Sequence, residues 1–412
     1  MSARLLFTNA RLVNPDRDEV ETGALLVEDG RIVATAPDAA QLLSGEVEVV
    51  DACSALLAPG IVDFGVFSAD ASAFHFGGIT RAVLMPDGPP ALDNPGLIER
   101  AAKAGKPDLW LHPMAAATRA LDGAEMAEMG LMQAAGARAV ATGRGRIADA
   151  GVMARVLAYA GGLGLVTVTH AEDEGLTRGA VATEGEAAMR LGLPAAPAAA
   201  EAMAIARDLA LVEVTGAPLH FRQVTTAAGF ALIRTAKARG LPVTCGITPA
   251  HLLLSDTALG PWRTFARLSP PLRSEEDRHA ARAALADGTI DVLASGHDPR
   301  GPEDKRLPFA DAAPGMAGAE TLLALALTLV RDGLVSLPRL FALLSANPAR
   351  LIGIEAGTLD AGAEADLILV DPDAPWVVDA KRMSARAGNT PFDGLPVQGR
   401  VRGVWKGGRR VA

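Results

Sequence analysis

The sequence predicts an α/β chain built as a (β/α)8 TIM-like barrel with a shortened first β-α-β crossover, joined to a small β-sandwich module made from both chain ends. Three observations carry this. From residue 57 onward eight apolar runs of strand length recur, most of them followed by an alanine-rich stretch of helical length, which is the rhythm of alternating strands and helices. Short alternating segments separated by turn residues occupy both ends of the chain, as half-buried strands do. Only residues 68–78 separate the first two apolar runs, whereas a parallel crossover ordinarily takes a dozen residues or more.

Taken in order, the N-terminal strands read as Leu5-Leu6-Phe7, 24–27, 31–33 after the turn Asp29-Gly30, and 47–50. Barrel strands follow at 57–67, 79–85, 108–114, 137–142, 164–170, 218–224, 241–247 and 290–295. Their unbroken apolar character suits strands covered on both faces. Helices are expected at 123–135, 150–160, 198–214, 227–239 and 274–286, with two more at 317–331 and 336–344 after the eighth strand. Strands return at 365–370, 376–378 and 399–405. Neither end holds enough strands to stand alone, so residues 1–56 and 354–412 are expected to form one composite module around a barrel of residues 57–353. The curtailed first crossover predicts a flank of the barrel left bare unless another subunit packs there.

Composition narrows the function. A length of 412 residues exceeds what one ordinary core supports, although barrels with an appended module reach it. With 50% hydrophobic residues there is enough apolar surface for a core and for a subunit interface, so a homo- or hetero-oligomer is expected. A net charge of −9 and only six lysines leave no basic stripe for nucleic acid. The two cysteines, Cys53 and Cys245, lie far apart and draw no disulfide framework, which fits a reducing cytoplasm. The opening residues 1–13 lack the build of a signal peptide, and the longest apolar stretch, 322–330, is too short to span a bilayer. Gly77-Gly78 and the Gly161-Gly162-x-Gly164 run lack the Lys-Ser/Thr of a phosphate loop.

The chemistry-bearing motifs lie at strand ends. Ala58-Pro59-Gly60-Ile61-Val62-Asp63, Gly77-Gly78-Ile79-Thr80 leading to Met85-Pro86, His170-Ala171-Glu172-Asp173, Pro270-Pro271-Leu272-Arg273, Lys305 with Pro308-Phe309, 315–321 (G-M-A-G-A-E-T) and Asn389-Thr390-Pro391-Phe392 with Gly399-Arg400-Val401 occur in that order. Together they resemble dihydroorotase of the amidohydrolase superfamily nearly end to end. The resemblance implies a barrel with one or two zinc ions, a zinc-bound hydroxide attacking a cyclic amide, and an aspartate on the last strand shuttling the proton.

Position by position, this chain departs from that pattern. Where the family reads D-x-H-x-H, Asp63 is followed by Gly65 and Phe67, and Ser68 stands at the substrate arginine. The fourth-strand lysine or acid is replaced by Thr142-Gly143-Arg144-Gly145, and no lysine lies between Lys106 and Lys237. His170 survives on the fifth strand. Gln223 stands for the sixth-strand histidine, and Gly296-His297-Asp298-Pro299-Arg300 replaces D-H-A-P-H, so the shuttle aspartate is Gly296. Asp87 takes the place of the asparagine after Met85-Pro86. Neither glycine nor phenylalanine can ligate metal, and a catalytic zinc needs about three protein ligands. The reading is therefore no catalytic residue, no metal and no cofactor, with Asp63, Gly65, Phe67, Asp87, Arg144, His170, Gln223, Gly296, His297 and Arg300 marking a vestigial pocket.

Plainer roles are available for the same residues. His170 reads as a hydrogen-bonded interior histidine, His297 as either a packed loop residue or a surviving substrate contact, and Asp63 as bonding neighbouring backbone or His170. His75, His112, His220, His251 and His279 have no ligand spacing. Arg144, Arg222 and Arg300 either ring the old pocket as an anion site or neutralise acids such as Glu172 and Asp298. The resemblance extends to a non-catalytic dihydroorotase-like partner of aspartate carbamoyltransferase. The alternatives are an active dihydroorotase or other cyclic-amide hydrolase with an altered site of Asp63, His170 and His297, and a small-molecule sensor.

Overall fold

The computed structural model describes residues 4–17, 19–42 and 45–412; residues 1–3, which belong to the opening segment 1–13 discussed above, lie outside the described residues. The N-terminal segment forms β1 (Arg4–Leu12), β2 (Glu21–Glu28), β3 (Arg31–Ala36), β4 (Glu48–Asp51) and β5 (Leu56–Pro59). The chain then enters the barrel through β6 (Ile61–Val66), β7 (Ile79–Leu84), β8 (Trp110–Ala116), β9 (Ala139–Ala141) and β10 (Thr167–Thr169). After a small parallel pair, β11 (Ala182–Thr183) and β12 (Ala195–Ala196), the barrel continues as β13 (Leu219–Phe221), β14 (Val243–Ile247) and β15 (Val292–Leu293). The C-terminal segment adds β16 (Leu367–Val377), β17 (Pro396–Lys406) and β18 (Arg409–Arg410).

Strands β6 to β10 and β13 to β15 run in parallel order around one eight-stranded sheet. The seam between its first and last strands is closed by side chain and loop. Ser295 donates its backbone N–H and its hydroxyl to the two oxygens of Asp63, at 2.9 and 2.5 Å, and the N–H of Phe67 reaches the carbonyl of His297 at 2.9 Å. Val62, Phe64, Val83, Met114, Val168 and Val292 fill the interior, while their strand neighbours Ile61, Ala82, Ala115 and Leu293 face the helices, as the two-residue period of a strand requires; the register break between Phe64 and Val66 turns Val66 to the helix side as well.

The helices start where the sequence supplies a cap. Asn94, Asp149, Thr226 and Ser274 each accept a backbone N–H from the first turn of the helices Pro95–Lys103, Ala150–Gly162, Ala227–Ala238 and Glu275–Ala286. The last also carries Glu275, Glu276 and Asp277 at its positive end. The helix read at 123–135 is shorter, Met129–Ala134, because the chain from Arg119 first makes a turn held by Thr118, whose hydroxyl accepts the N–H of Gly123.

The first crossover is short, as the sequence predicts: a six-residue helix, Ala71–Phe76, is its only helix. The bare flank expected from it is corrected. Every residue of β6 and all but one of β7 are buried within the single chain. The C-terminal strands supply the cover, with Ile368 and Val401 against Gly78 and the Arg81 side chain passing to Asp366 (2.7 Å) and Glu364 (2.6 Å). Lys406 joins the same two acids, and both cations lie over the Trp110 ring.

The run read as one strand over 57–67 is two. Residues 56–59 pair with β1 and β16 in the module, and the chain crosses into the barrel at Gly60, whose N–H bonds the Asp366 carbonyl at 2.8 Å. Likewise the runs 365–370 and 376–378 are one irregular strand, β16. The two chain ends share one hydrogen-bonded sheet, ordered β18-β17-β16-β5-β1-β2-β3 with β4 beside β1. It curls so that Phe7 of β1 meets Trp405 of β17 edge to face, with ring centroids 4.9 Å apart.

Candidate functional site

The residues singled out from the sequence gather at the C-terminal ends of the barrel strands, where barrel active sites lie. Gly65, one residue before the end of β6, has a left-handed conformation (φ +78°). A Cβ built there would stand 3.2 Å from Cδ of Arg222, so the arginine stem takes the room a side chain at position 65 would use. The ring of Phe67 lies 3.8 Å from the Arg144 guanidinium and 5.0 Å from that of Arg222, both within cation–π range. At the other side of the seam Gly296 (φ +63°) packs so closely that a Cβ would fall 2.9 Å from the Thr248 methyl and 3.1 Å from Cε of Met316.

The arginines divide into bonded and unbonded. Arg144 makes a two-pronged bond to Asp298 at 2.6 and 3.0 Å, and Arg300 reaches the same carboxylate at 3.1 Å. Arg222 is buried and its Nε has no partner among the described residues. Burial pulls its pKa down to about 10, against the attraction of Asp87 and Asp298, so it stays a cation at neutral pH. Asp87 accepts the backbone N–H of Arg144 at 2.7 Å, while its second oxygen is buried and unbonded. Burial raises its pKa.

The histidines are tied into the scaffold. His170 bonds Glu172 through Nε2 at 3.1 Å, and Glu172 in turn takes Arg273 at 2.8 Å. Burial works to raise the pKa of Glu172, yet these bonds hold it at about 2. His297 receives the Ala319 N–H on Nδ1 at 3.3 Å and stacks edge to face on Phe74; burial pushes its pKa down to about 4. It is the packed loop residue, not a pocket contact. Asp63 bonds Ser295 and makes no bond to His170, which corrects one of the partners read for it. Burial lifts its pKa to about 6. Of the acids proposed for the arginines, Asp298 is a partner, whereas Glu172 belongs to Arg273 instead.

A model of the family described as "Amidohydrolase family" matches residues 112–411. The chain belongs to the amidohydrolase family. Among its relatives, a dihydroorotase of Pelotomaculum thermopropionicum is 38% identical over 422 residues, covering 99% of this chain and 98% of that protein. A dihydroorotase of Pelobacter propionicus is 37% identical and covers 99% of each. Among solved structures, an L-hydantoinase (dihydropyrimidinase) from Arthrobacter aurescens superposes with a TM-score of 0.88 at 26% identity, covering 100% of this chain and 96% of the other. Dihydropyrimidinase of Brevibacillus agri shares the fold, with a TM-score of 0.84 at 23% identity and coverage of 99% and 95%.

The zinc of the resembling family does not fit this amidohydrolase-family site. Among the described residues no three His, Cys, Asp or Glu side chains converge on one point. Both oxygens of Asp63 serve Ser295, and His170 offers only Nδ1. A cationic guanidinium stem fills the space beside Gly65 and repels a second cation. The structure brings Phe67, Arg144, Gln223 and Gly296 around one cavity, places His170 in a neighbouring one with Arg144, and leaves Asp63 and His297 in the packed seam. Sequence reasoning missed Thr248, Met316 and Glu201. Glu201 is wholly buried and takes the backbone N–H groups of Thr225 and Thr226 at 2.8–3.0 Å, fixing the loop that carries Arg222 and Gln223. Nothing around a glutamate in an alanine-rich helix signals this.

Proposed function

We propose that this chain is a dihydroorotase-like protein of pyrimidine biosynthesis, acting in the cytoplasm without hydrolytic activity, as a scaffold or activating subunit for aspartate carbamoyltransferase. The observation that supports the loss of hydrolysis is the packing of Arg222 into the space beside Gly65, with Phe67 between the first strand and two guanidiniums. A dihydroorotase holds its metal by the residues that would stand there, by the resemblance stated above. The partner rests on that resemblance alone. Co-expression with the cognate transferase followed by size-exclusion chromatography tests it: a shared peak with raised transferase activity is expected, and separate elution removes the proposal.

A second reading has its own support. Relatives named dihydroorotase match 99% of the chain at 37–38% identity, and a residual hydrolase would use Asp63, His170 and His297 as an altered mononuclear site. Metal analysis after dialysis against a chelator, together with a dihydroorotate ring-opening assay in added zinc or manganese, separates the two. Retained metal with turnover establishes the enzyme.

A further inference from the structure

Arg222 is the one pocket arginine that the fold leaves without a counter-ion bond. It is 5% exposed, and among the described residues its guanidinium makes no hydrogen bond or ion pair, while Arg144 and Arg300 are both spent on Asp298. A buried cation without a hydrogen-bond partner is costly, and the contact of Arg222 with the Phe67 ring at 5.0 Å leaves its N–H donors unused. Asp87 attracts it most strongly among the acids of the chain, yet its inner oxygen is also buried and unbonded, so the two groups form no hydrogen bond. Beside Arg222, the Oε1 of Gln223, 5% exposed as a residue, likewise has no donor.

Both side chains line a cavity of about 110 Å³, shared with Phe67, Arg144, Gly296 and Asp298. A void of this order holds a molecule about the size of benzene. Its charged walls are Arg144, Arg222 and Asp298, a surplus of one positive charge. His251, also in the wall, is satisfied by Thr248 (2.8 Å) and the Pro270 carbonyl (3.1 Å).

We propose that this cavity is an oxyanion site in which Arg222 grips a compact monocarboxylate and Gln223 accepts a hydrogen bond from a donor group on the same molecule. The anion sits where the resembling enzymes would hold a metal cation, so a charge of opposite sign completes the pocket. The proposal rests on the non-catalytic reading in one respect, that no metal competes for the space.

The test uses the full chain, purified through chelator, in thermal unfolding with glycolate, acetate or sodium chloride at matched ionic strength. For a millimolar site at twenty-fold excess the expected rise is about 2 °C with glycolate, smaller with acetate and absent with chloride. Arg222→Met keeps the stem beside Gly65 but removes the charge. It should abolish the response and leave the ligand-free melting temperature equal or higher, since an unpaired cation is lost. Gln223→Leu should erase the preference for glycolate over acetate. An unresponsive wild-type protein overturns the site, as does a response that survives Arg222→Met. A large loss of ligand-free stability in Arg222→Met that is restored by adding Asp87→Asn also overturns it, by identifying Asp87 as the internal counter-ion. Zinc content and ring-opening activity read on the same preparation keep the two ideas apart: metal with turnover sinks the non-catalytic reading, whereas thermal silence without metal sinks the oxyanion site alone.

Discussion

Writing two histidines back into the first barrel strand, Gly65→His with Phe67→His, puts the emptied-pocket reasoning at risk directly. Position 65 has φ +78°, and a side chain held in the left-handed region costs about 1–2 kcal/mol. Its Cβ would press on Arg222 at 3.2 Å, which forces the arginine stem to move. Removing the Phe67 ring forfeits its contacts with two guanidiniums, about 0.5–2 kcal/mol each. The total, about 2–6 kcal/mol, converts through the unfolding entropy of a chain this long to a fall of about 2–7 °C in melting temperature. Circular-dichroism melts with and without zinc give the shift, and atomic absorption after dialysis gives the metal. A variant that melts with the parent and retains about one zinc per chain, in the manner of a three-ligand site, would refute the claim that the arginines own this space.

Three further outcomes follow from other parts of the fold. Arg81→Ala leaves Asp366 and Lys406 in a buried network without one of its cations and should lower stability by about 3–5 kcal/mol in denaturant titration. Glu201→Gln turns an amide N–H₂ toward the N–H groups of Thr225 and Thr226 and should cost about 3 kcal/mol, with faster hydrogen exchange in residues 222–226. Acid should unfold the protein early. Burial holds His112 and His220 near pKa 3 and His251 and His297 near 4, so the unfolded chain binds more protons and stability present above pH 6.5 is lost as pH falls toward those values. Asp63, raised to about 6, works the other way, its contribution being present below pH 4 and lost as pH rises through 6. Asp87, Asp208, Asp256 and Glu320, raised by burial, oppose the loss as Asp63 does, but the four large histidine shifts outweigh them and stability should fall between pH 6 and 4; a stability profile that is flat or rising on acidification there removes the account.

Much of the scaffold is legible in the chain because burial on both faces writes itself as apolar runs. All eight barrel strands lie within or beside the runs that announce them, and the short first crossover is visible as missing residues. Boundaries are less legible. Gly60 sits inside an apolar stretch that continues unbroken, so only the pairing of residues 56–59 with β1 and β16 shows that the chain changes sheets there. The bare flank expected beside β6 fails for a related reason: the cover comes from Ile368 and Val401, about 300 residues away in the sequence, and no local pattern encodes that contact.

By itself the sequence determined which side chains stand at the strand ends, because a glycine or a phenylalanine in place of a histidine is a fact of covalent chemistry that no folding can alter. What only the tertiary structure decided is how the vacated space is used: Arg144 and Arg300 converge on Asp298, Asp63 latches the barrel seam through Ser295, and Arg222 keeps its Nε without a partner among the described residues. The physical reason is that pairing of charges depends on distances of a few ångströms between residues far apart in the chain, and those distances exist only once the barrel has closed.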